Sequence, residues 1–329
     1  MSPAAQGGCG IVARCLCGCV PVFFLPVRRG LSMSRRLVVI QRNPTSGSGR
    51  GAAELLRLSR ELQRLGYRVR MFSRRHVLDQ WLRRPQNLEE LHCCVAAGGD
   101  GTVADLVNRH PGVPLAVLPL GTENLLAKYL GIRCCGRTLA RIVDQNQIRV
   151  MDSVLADSRR FLLMLSVGPD ADVVKVVHAS RRGRILRSRY VWPVIRTLLL
   201  GQVRQYRVRC EESGESWIGS HIILTNVPRY GFGMPFAPQA LPDDGLLDVR
   251  VVRGTTRWGL LWQALRLKLG LPVGKSEYAR VAARSVRVEL LSAEHGVQCQ
   301  CDGDPGPELP VAVQIDRASV CLLVPGAQA

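Results

Sequence analysis

Lysine is close to absent from this 329-residue chain: Lys128, Lys175, Lys268 and Lys275 are the only four, so nearly all of its 45 cationic side chains are arginines. No apolar run approaches the ~20 residues of a bilayer-spanning helix, and no segment reads as one. The twelve cysteines include no Cys-x-x-Cys matched by a second. Cys9, Cys15, Cys17 and Cys19 crowd the N-terminus without zinc-ligand spacing, while Cys93, Cys94, Cys134, Cys135 and Cys321 sit in or beside apolar runs, where a free thiol behaves as a small hydrophobe. A disulfide framework is therefore not expected, and free thiols point to the cytosol. Gly-x-x-x-x-Gly-Lys-Ser/Thr and Gly-x-Gly-x-x-Gly are both missing, which sets aside the Walker loop and the dinucleotide fingerprint. The formal charge of +19 raises nucleic acid as a partner. Against it stand the lack of a basic low-complexity tail, of a zinc-finger spacing and of aromatics interleaved with arginines. An anionic membrane surface is the partner this charge fits better, and arginine excess from base composition is the bland alternative.

What is present gathers in three loops. Gly98-Gly99-Asp100-Gly101-Thr102 follows the apolar run Cys93 to Ala97. Its three glycines let a backbone leave a buried strand, turn tightly and bring N–H groups near a phosphate. The Asp100 carboxylate would repel that phosphate unless a divalent cation or a reacting hydroxyl lay between them. A plain glycine turn is the competing reading. Asn43-Pro44-Thr45-Ser46-Gly47-Ser48-Gly49 follows the apolar Leu37 to Ile40, and Gly121-Thr122-Glu123-Asn124 follows Pro114 to Leu120. Each loop leads into a helical pattern, and in an open parallel sheet such loops meet at the carboxyl edge, where ligands bind.

The ordered series NPTSGSG (43–49), GGDGT (98–102), LPLGTENLLAKYLGI (118–132), SVGPDADVV (166–174), APQALPDDGLLDV (237–249) and CDGD (301–304) resembles the diacylglycerol kinase catalytic-domain family, which includes bacterial lipid kinases and sphingosine kinases. The resemblance runs from about Leu37 to near the C-terminus. GGDGT alone is shared with NAD kinases; the whole series in this order is far more specific. It implies an α/β N-terminal domain with a parallel sheet, a C-terminal antiparallel β-sandwich, and transfer of a phosphoryl group from ATP, with Mg2+, to a lipid hydroxyl of a diacylglycerol-like or sphingoid acceptor. A soluble-metabolite kinase of the NAD kinase type and a non-catalytic lipid-binding relative are the alternatives. The first leaves NPTSGSG and APQALPDDGLLDV unexplained, and the second is opposed by the presence of Asp100, Asp244 and Asp302.

Phosphoryl transfer requires the triphosphate to be held, its charge neutralised and the acceptor aimed in line. On the resemblance, Gly98, Gly99, Asp100, Gly101 and the threonines Thr45, Thr102 and Thr122 hold the triphosphate, with amide hydrogen bonds from Asn43 and Asn124. Asp100 joins the Mg2+ network. Asp302 matches the first acid of the family's Asp-Gly-Glu and stands as general base; Asp304 replaces the glutamate with one methylene fewer. A bare hairpin turn is the other reading of Asp302-Gly303. A structural Mg2+ is implied between the Asp244 carboxylate and the carbonyls of Leu241 and Leu246, in keeping with oxygen-only ligation, and Asp152 is a weaker candidate for the acidic network. Leu125 stands where many members carry aspartate, and Phe232 interrupts a glycine triplet.

Ala52 to Leu65 has helical leucine spacing, Tyr67 to Phe72 alternates as a strand, and Pro85-Gln86-Asn87 reads as a loop. From about Val150 short strands follow at 161–167, 203–210, 217–226, 246–253, 284–291 and 297–301. The expected organisation is a nucleotide-binding domain over 33–150, a lipid-substrate sandwich over 151–314, and a last strand near 315–325 returning to the first domain. Residues 1–32 show no packing periodicity and are read as a tail or an over-extended start, with Met33 the natural beginning. Two basic helical stretches, Arg181 to Trp192 and Arg257 to Leu271, either pack on the sandwich or present Trp258, Leu261, Trp262, Leu265 and Leu269 to acyl chains. The resulting expectation is a cytoplasmic, peripherally membrane-associated enzyme, with a homodimer left open.

Overall fold

A computed structural model of the protein describes residues 36–43, 49–179, 201–229, 231–233, 236–253, 278–292 and 294–326, and single positions at 196, 256, 258, 259, 262, 265, 266 and 269. The stretch 1–32, the loop 44–48 with Thr45, and Arg181 to Trp192 lie outside the described residues.

Four parallel strands form the first half: β1 (Leu37–Arg42), β2 (Arg68–Phe72), β3 (Leu91–Gly98) and β4 (Leu115–Pro119), in spatial order β2-β1-β3-β4. Every residue of β3 is buried, because helices cover both faces of a parallel sheet, and its Cys93 and Cys94 are core thiols. Burial pushes the Cys94 thiol up to about 12, so it stays protonated. Helix α1 (Gly49–Arg64) buries Leu55, Leu58 and Leu62 along one stripe and leaves Leu56 in solvent, as the 3.6-residue period requires. Helix α2 (Arg75–Leu82) is followed not by a loop but by α3 (Pro85–Glu90), which corrects the reading of Pro85-Gln86-Asn87. Proline is favourable at a first helical position, since it has no N–H to satisfy there, and the Asn87 amide donates to the Trp81 carbonyl at 2.7 Å, closing the junction. Helices α4 (Asp100–Arg109), α5 (Leu125–Tyr129) and α6 (Gly136–Gln145) follow β3 and β4. Cys134 is exposed, unlike the cysteines of β3.

The second half is two facing antiparallel layers. β5 (Ile148–Ala156), β6 (Arg159–Phe161), β8 (Tyr206–Cys210), β9 (Ser216–Gly219), β13 (Ser285–Leu290) and β16 (Val311–Leu323) extend the parallel strands into one ten-stranded sheet. β7 (Met164–Val167), β10 (His221–Thr225), β11 (Leu247–Val252), β12 (Tyr278–Ala283), β14 (Gln298–Cys301) and β15 (Asp304–Glu308) form a six-stranded sheet. Side chains such as Phe161, Leu165, Tyr206, Val208, Leu224, Val249, Val288 and Val313 fill the space between the layers. The joining strand is β16: Val311 to Gln314 pair with β13, while Leu322 lies beside Leu115 of β4, with a register shift between Asp316 and Val320 where Ala318 takes φ +51°.

Two expected strands divide. The stretch 217–226 breaks at Ser220, so that β9 stays in the large sheet and β10 enters the small one; a Cβ on Gly219 would lie 2.7 Å from the Val252 carbonyl oxygen. The stretch 161–167 breaks at Leu162 and Leu163, whose N–H groups turn to a carboxylate of the site below. Helix α7 (Pro169–Ala179) leaves β7 and packs along β14 and β15.

Candidate active site

Asn43, just after β1, and the loops after β3 and β4 meet at the carboxyl edge of the parallel strands. Asn43 N–H donates to the Ala97 carbonyl at 3.1 Å, and Leu120 N–H to that of Gly98 at 2.8 Å. The approach is closer than any side chain permits: a Cβ on Gly121 would sit 2.5 Å from Gly99 Cα and 2.7 Å from Asn124 Oδ1. A Cβ on Gly98 would sit 2.1 Å from Thr102 Oγ1. Asn124, in the left-handed region at φ +49°, closes its own loop by accepting from Gly121 N–H and donating to the Gly121 carbonyl, both at 2.9 Å. Thr102 is buried, its hydroxyl 3.4 Å from the donating Asn43 amide. The structure thus brings Asn43, Gly98, Gly99, Asp100, Gly101, Thr102, Thr122 and Asn124 to one edge. Asn124 and Thr102 are turned inward to brace the loops, whereas Gly101 and Thr122 face solvent.

Asp100 opens α4, and its carboxylate accepts from the N–H groups of Leu125 at 2.9 Å and Leu126 at 3.1 Å. It therefore caps the short α5, where a negative charge is favourable. Burial raises its pKa, against which the two N–H donors and Lys128 pull down; Glu123 adds to the rise. Asp302 occupies the tip between β14 and β15 at φ +52°, its N–H donating to the Met164 carbonyl at 2.9 Å. Its carboxylate accepts from Leu162 N–H at 2.8 Å on Oδ2, and from Leu163 and Met164 N–H at 2.9 and 3.0 Å on Oδ1. Burial pushes its pKa up to about 6; the three donors oppose that and the charge of Asp100 adds to it. Acceptor capacity remains on Oδ2, so the group can take a proton near neutral pH. Asp304 points the other way: its Oδ2 lies 3.5 Å from where a Cβ of Gly101 would be, and its Oδ1 faces His178 Nδ1 at 3.5 Å. Three carboxylates separated by some two hundred residues of chain are assembled where the glycine loop meets the hairpin.

Residues 36–156 match the diacylglycerol kinase catalytic domain, and residues 164–324 match the YegS C-terminal NAD kinase beta sandwich-like domain. The "Probable lipid kinase YegS-like" protein of Pseudomonas aeruginosa is 31% identical over 225 residues, spanning 64% of this chain and 69% of that one. The chain belongs to the diacylglycerol kinase family. A protein named diacylglycerol kinase in Mycobacterium tuberculosis is 26% identical across 70% of this chain and 76% of its own. An uncharacterized protein of Synechocystis matches at 27% identity over 49% of this chain and only 38% of its own length. In fold, a diacylglycerol kinase crystal structure from Bacillus anthracis superposes with a TM-score of 0.67 over 91% of this chain and all of that one, at 17% identity. The protein is accordingly an enzyme of the lipid kinase class.

Where this diacylglycerol kinase family member departs from the familiar pattern, the structure gives a reason at one position. Leu125 uses its backbone N–H to bind Asp100 while its side chain is buried in the core of the parallel half. Phe232 lies in a single 3-10 turn, Gly231–Gly233. In the loop 241–246, Asp244 is exposed and accepts from Leu246 N–H at 2.9 Å, and Leu241 is largely in solvent. The loop is anchored by buried Asp152, whose N–H donates to the Pro242 carbonyl at 2.7 Å and whose carboxylate accepts from Gly245 N–H at 2.8 Å and Ala318 N–H at 2.7 Å. Asp152 thus ties the loop to the bulge of β16. Among the described residues no group of three or more His, Cys, Asp or Glu side chains is placed to hold a metal ion.

Sequence reasoning passed over five residues that touch or support the site: Ser166, Asp170, His178, His221 and Gln300. Ser166 and Asp170 fall inside the quoted SVGPDADVV segment, but only the fold connects them to the hairpin. Gln300 carried a faint signal, a glutamine between Cys299 and Cys301 that is buried on the face away from the sandwich core.

Proposed function

We propose that the protein is an ATP- and Mg2+-dependent kinase that phosphorylates the hydroxyl of a lipid alcohol, diacylglycerol-like or sphingoid, at a membrane surface. One observation carries the reading: the Asp302–Asp304 hairpin of the sandwich stands against Gly101 of the GGDGT loop, so a triphosphate at the glycine edge and an acceptor entering along the sandwich would meet at the carboxylates. The N–H groups of Gly99, Asp100 and Gly101, where α4 begins, with Asn43, Thr122 and, outside the described residues, Thr45 as further donors, hold the phosphates; Asp100 stands at the Mg2+ position; Asp302 takes the acceptor proton, with Asp304 beside it. Mg2+ keeps several waters and is held by one or two carboxylates together with substrate phosphates, a role that Asp100 beside the glycine loop can fill. Bound there, it would offset charge on the transferring phosphoryl group. The loop of Leu241, Asp244 and Leu246 remains the candidate for a second, structural Mg2+.

The membrane side of the proposal rests on Trp258, Trp262, Leu265 and Leu269. Their spacing of four, three and four places them on one helical face, and the two tryptophans are 65% and 59% exposed. That exposure supports membrane contact over packing on the sandwich, and a net charge of +19 suits an anionic bilayer. No helix among the described residues is long and apolar enough to cross a membrane. Incubating the purified protein with γ-labelled ATP, Mg2+ and a panel of lipid alcohols tests the function: label in an extracted lipid is expected. Label only in a water-soluble acceptor such as NAD would overturn it.

A further inference from the structure

Behind the acidic hairpin runs a chain of polar side chains that reaches the hairpin through a backbone N–H. Gln300, buried in β14, accepts from Gly303 N–H through Oε1 at 2.8 Å and donates through Nε2 to Ser166 Oγ at 2.8 Å. Ser166, fully buried in β7, donates in turn to Asp170 Oδ2. Asp170 Oδ1 accepts from Ala171 N–H at 2.9 Å and meets His221 Nε2, at the start of β10, at 2.9 Å. Four elements of the sandwich, β14, β7, α7 and β10, are thereby linked to one backbone N–H at the tip of the hairpin.

That N–H matters because of where it sits. Asp302 and Gly303 both have left-handed backbones, at φ +52° and +82°, as the central residues of a hairpin turn closed by the Cys301–Asp304 pair, and the Gly303 N–H has no place in that ladder. Asp302 is held on one side by three N–H groups and Asp304 leans on the other side toward Gly101, so the Gly303 peptide decides how the two carboxylates are splayed. Gln300 makes the side-chain hydrogen bond to that peptide, and it is kept in one orientation because Ser166, committed to Asp170, can only accept from it. A buried polar chain hydrogen-bonded in sequence from Gly303 through Gln300 and Ser166 to Asp170 favours a single geometry.

We infer that Gln300 is a positioning residue of the kinase, acting through Gly303 with Ser166 and Asp170 behind it to hold Asp304 in line with the GGDGT loop. The inference rests on the reading of these carboxylates as the acidic centre. Gln300→Leu keeps the volume and removes both hydrogen bonds; kcat is expected to fall by about 10- to 100-fold while KM for ATP stays within about threefold, because the glycine loops are untouched. In an Asp304→Ala background the same substitution is expected to change kcat by less than about twofold, since the group being positioned is gone. Equal proportional losses in both backgrounds mean a general structural defect and overturn the inference, as does a wild-type kcat for Gln300→Leu. Ser166→Ala runs the same cycle should Gln300→Leu fold poorly, with a smaller loss expected.

An activity-independent measurement separates this inference from the function itself. Amide hydrogen exchange at Gly303 should speed up by about tenfold or more in Gln300→Leu, with exchange in β10 and β11 unchanged. Unchanged exchange at Gly303 overturns the relay. Faster exchange together with full activity of Asp304→Ala instead retains the relay as a device of the hairpin and rejects the kinase role given to Asp304.

Discussion

Asp304 Oδ2 and Gly101 face each other across the junction of the two halves of the protein, 3.5 Å separating the carboxylate oxygen from the position a Cβ on Gly101 would take. An aspartate, one methylene shorter than the glutamate of the resembling family, therefore already reaches the glycine loop.

Replacing Asp304 tests this reach. Asp304→Ala is expected to lower turnover by about 10²–10⁴-fold with ATP affinity near normal, the range for loss of a positioned acid or base. Asp304→Glu should stay within about tenfold of wild type, since the side chain is partly exposed and the extra methylene can swing outward. Steady-state kinetics on the two variants decide the matter; wild-type turnover in Asp304→Ala would leave the hairpin without a catalytic part.

The pH dependence follows from Asp302. Its pKa in the folded protein is about 6, so the carboxylate is ionised above that pH and kcat/KM should rise with an acid limb near pH 6 and level off beyond it. Linkage gives the sign for stability. The folded value lies above the ordinary 3.8, so the stabilising contribution is that of the protonated group, fully present below about pH 4 and lost as pH rises through 6. Melting temperatures from pH 4 to 7 for wild type and Asp302→Ala should show this decline only in the wild type. An acid limb that persists unshifted in Asp302→Ala assigns the titration to another group.

Gly121→Ala probes the contact between two glycine loops. A methyl group 2.5 Å from Gly99 Cα must push the backbones apart, an overpacking cost of about 1–3 kcal/mol. Borne by the nucleotide site, that cost lowers nucleotide affinity by about 5- to 150-fold, each 1.4 kcal/mol being a factor of ten. Titration with an ATP analogue, alongside a thermal melt, reads both effects; unchanged affinity would detach this loop from the nucleotide.

Trp258→Ala with Trp262→Ala separates membrane contact from packing. Binding to anionic vesicles should be lost while the melting temperature stays put, since both rings are largely in solvent. Wild-type binding should also weaken as salt shortens the Debye length below about 10 Å. Insensitivity to salt, or a large loss of stability in the double variant, argues that the tryptophans belong to the core.

The sequence by itself determined the parallel half. Short apolar runs at Leu37–Ile40, Cys93–Ala97 and Leu115–Leu118, each followed by a loop rich in glycine and threonine, read as strands buried on both faces with their ligand edge at the loops. Asp100 drew notice as a carboxylate among loop glycines, and Asp302 and Asp304 through the resemblance of CDGD to the family's Asp-Gly-Glu. Only the tertiary structure decided what these groups touch. That Asp302 is gripped by the N–H groups of Leu162, Leu163 and Met164, that Asp152 anchors the 242–245 loop, and that Gln300 reaches Gly303 and Ser166 are contacts between segments with no fixed spacing in the chain. Local pattern reports which face of an element is apolar; a hydrogen bond between β7, β14 and α7 depends on how sheets and helices are stacked, and stacking is set by the whole core rather than by any short stretch of sequence.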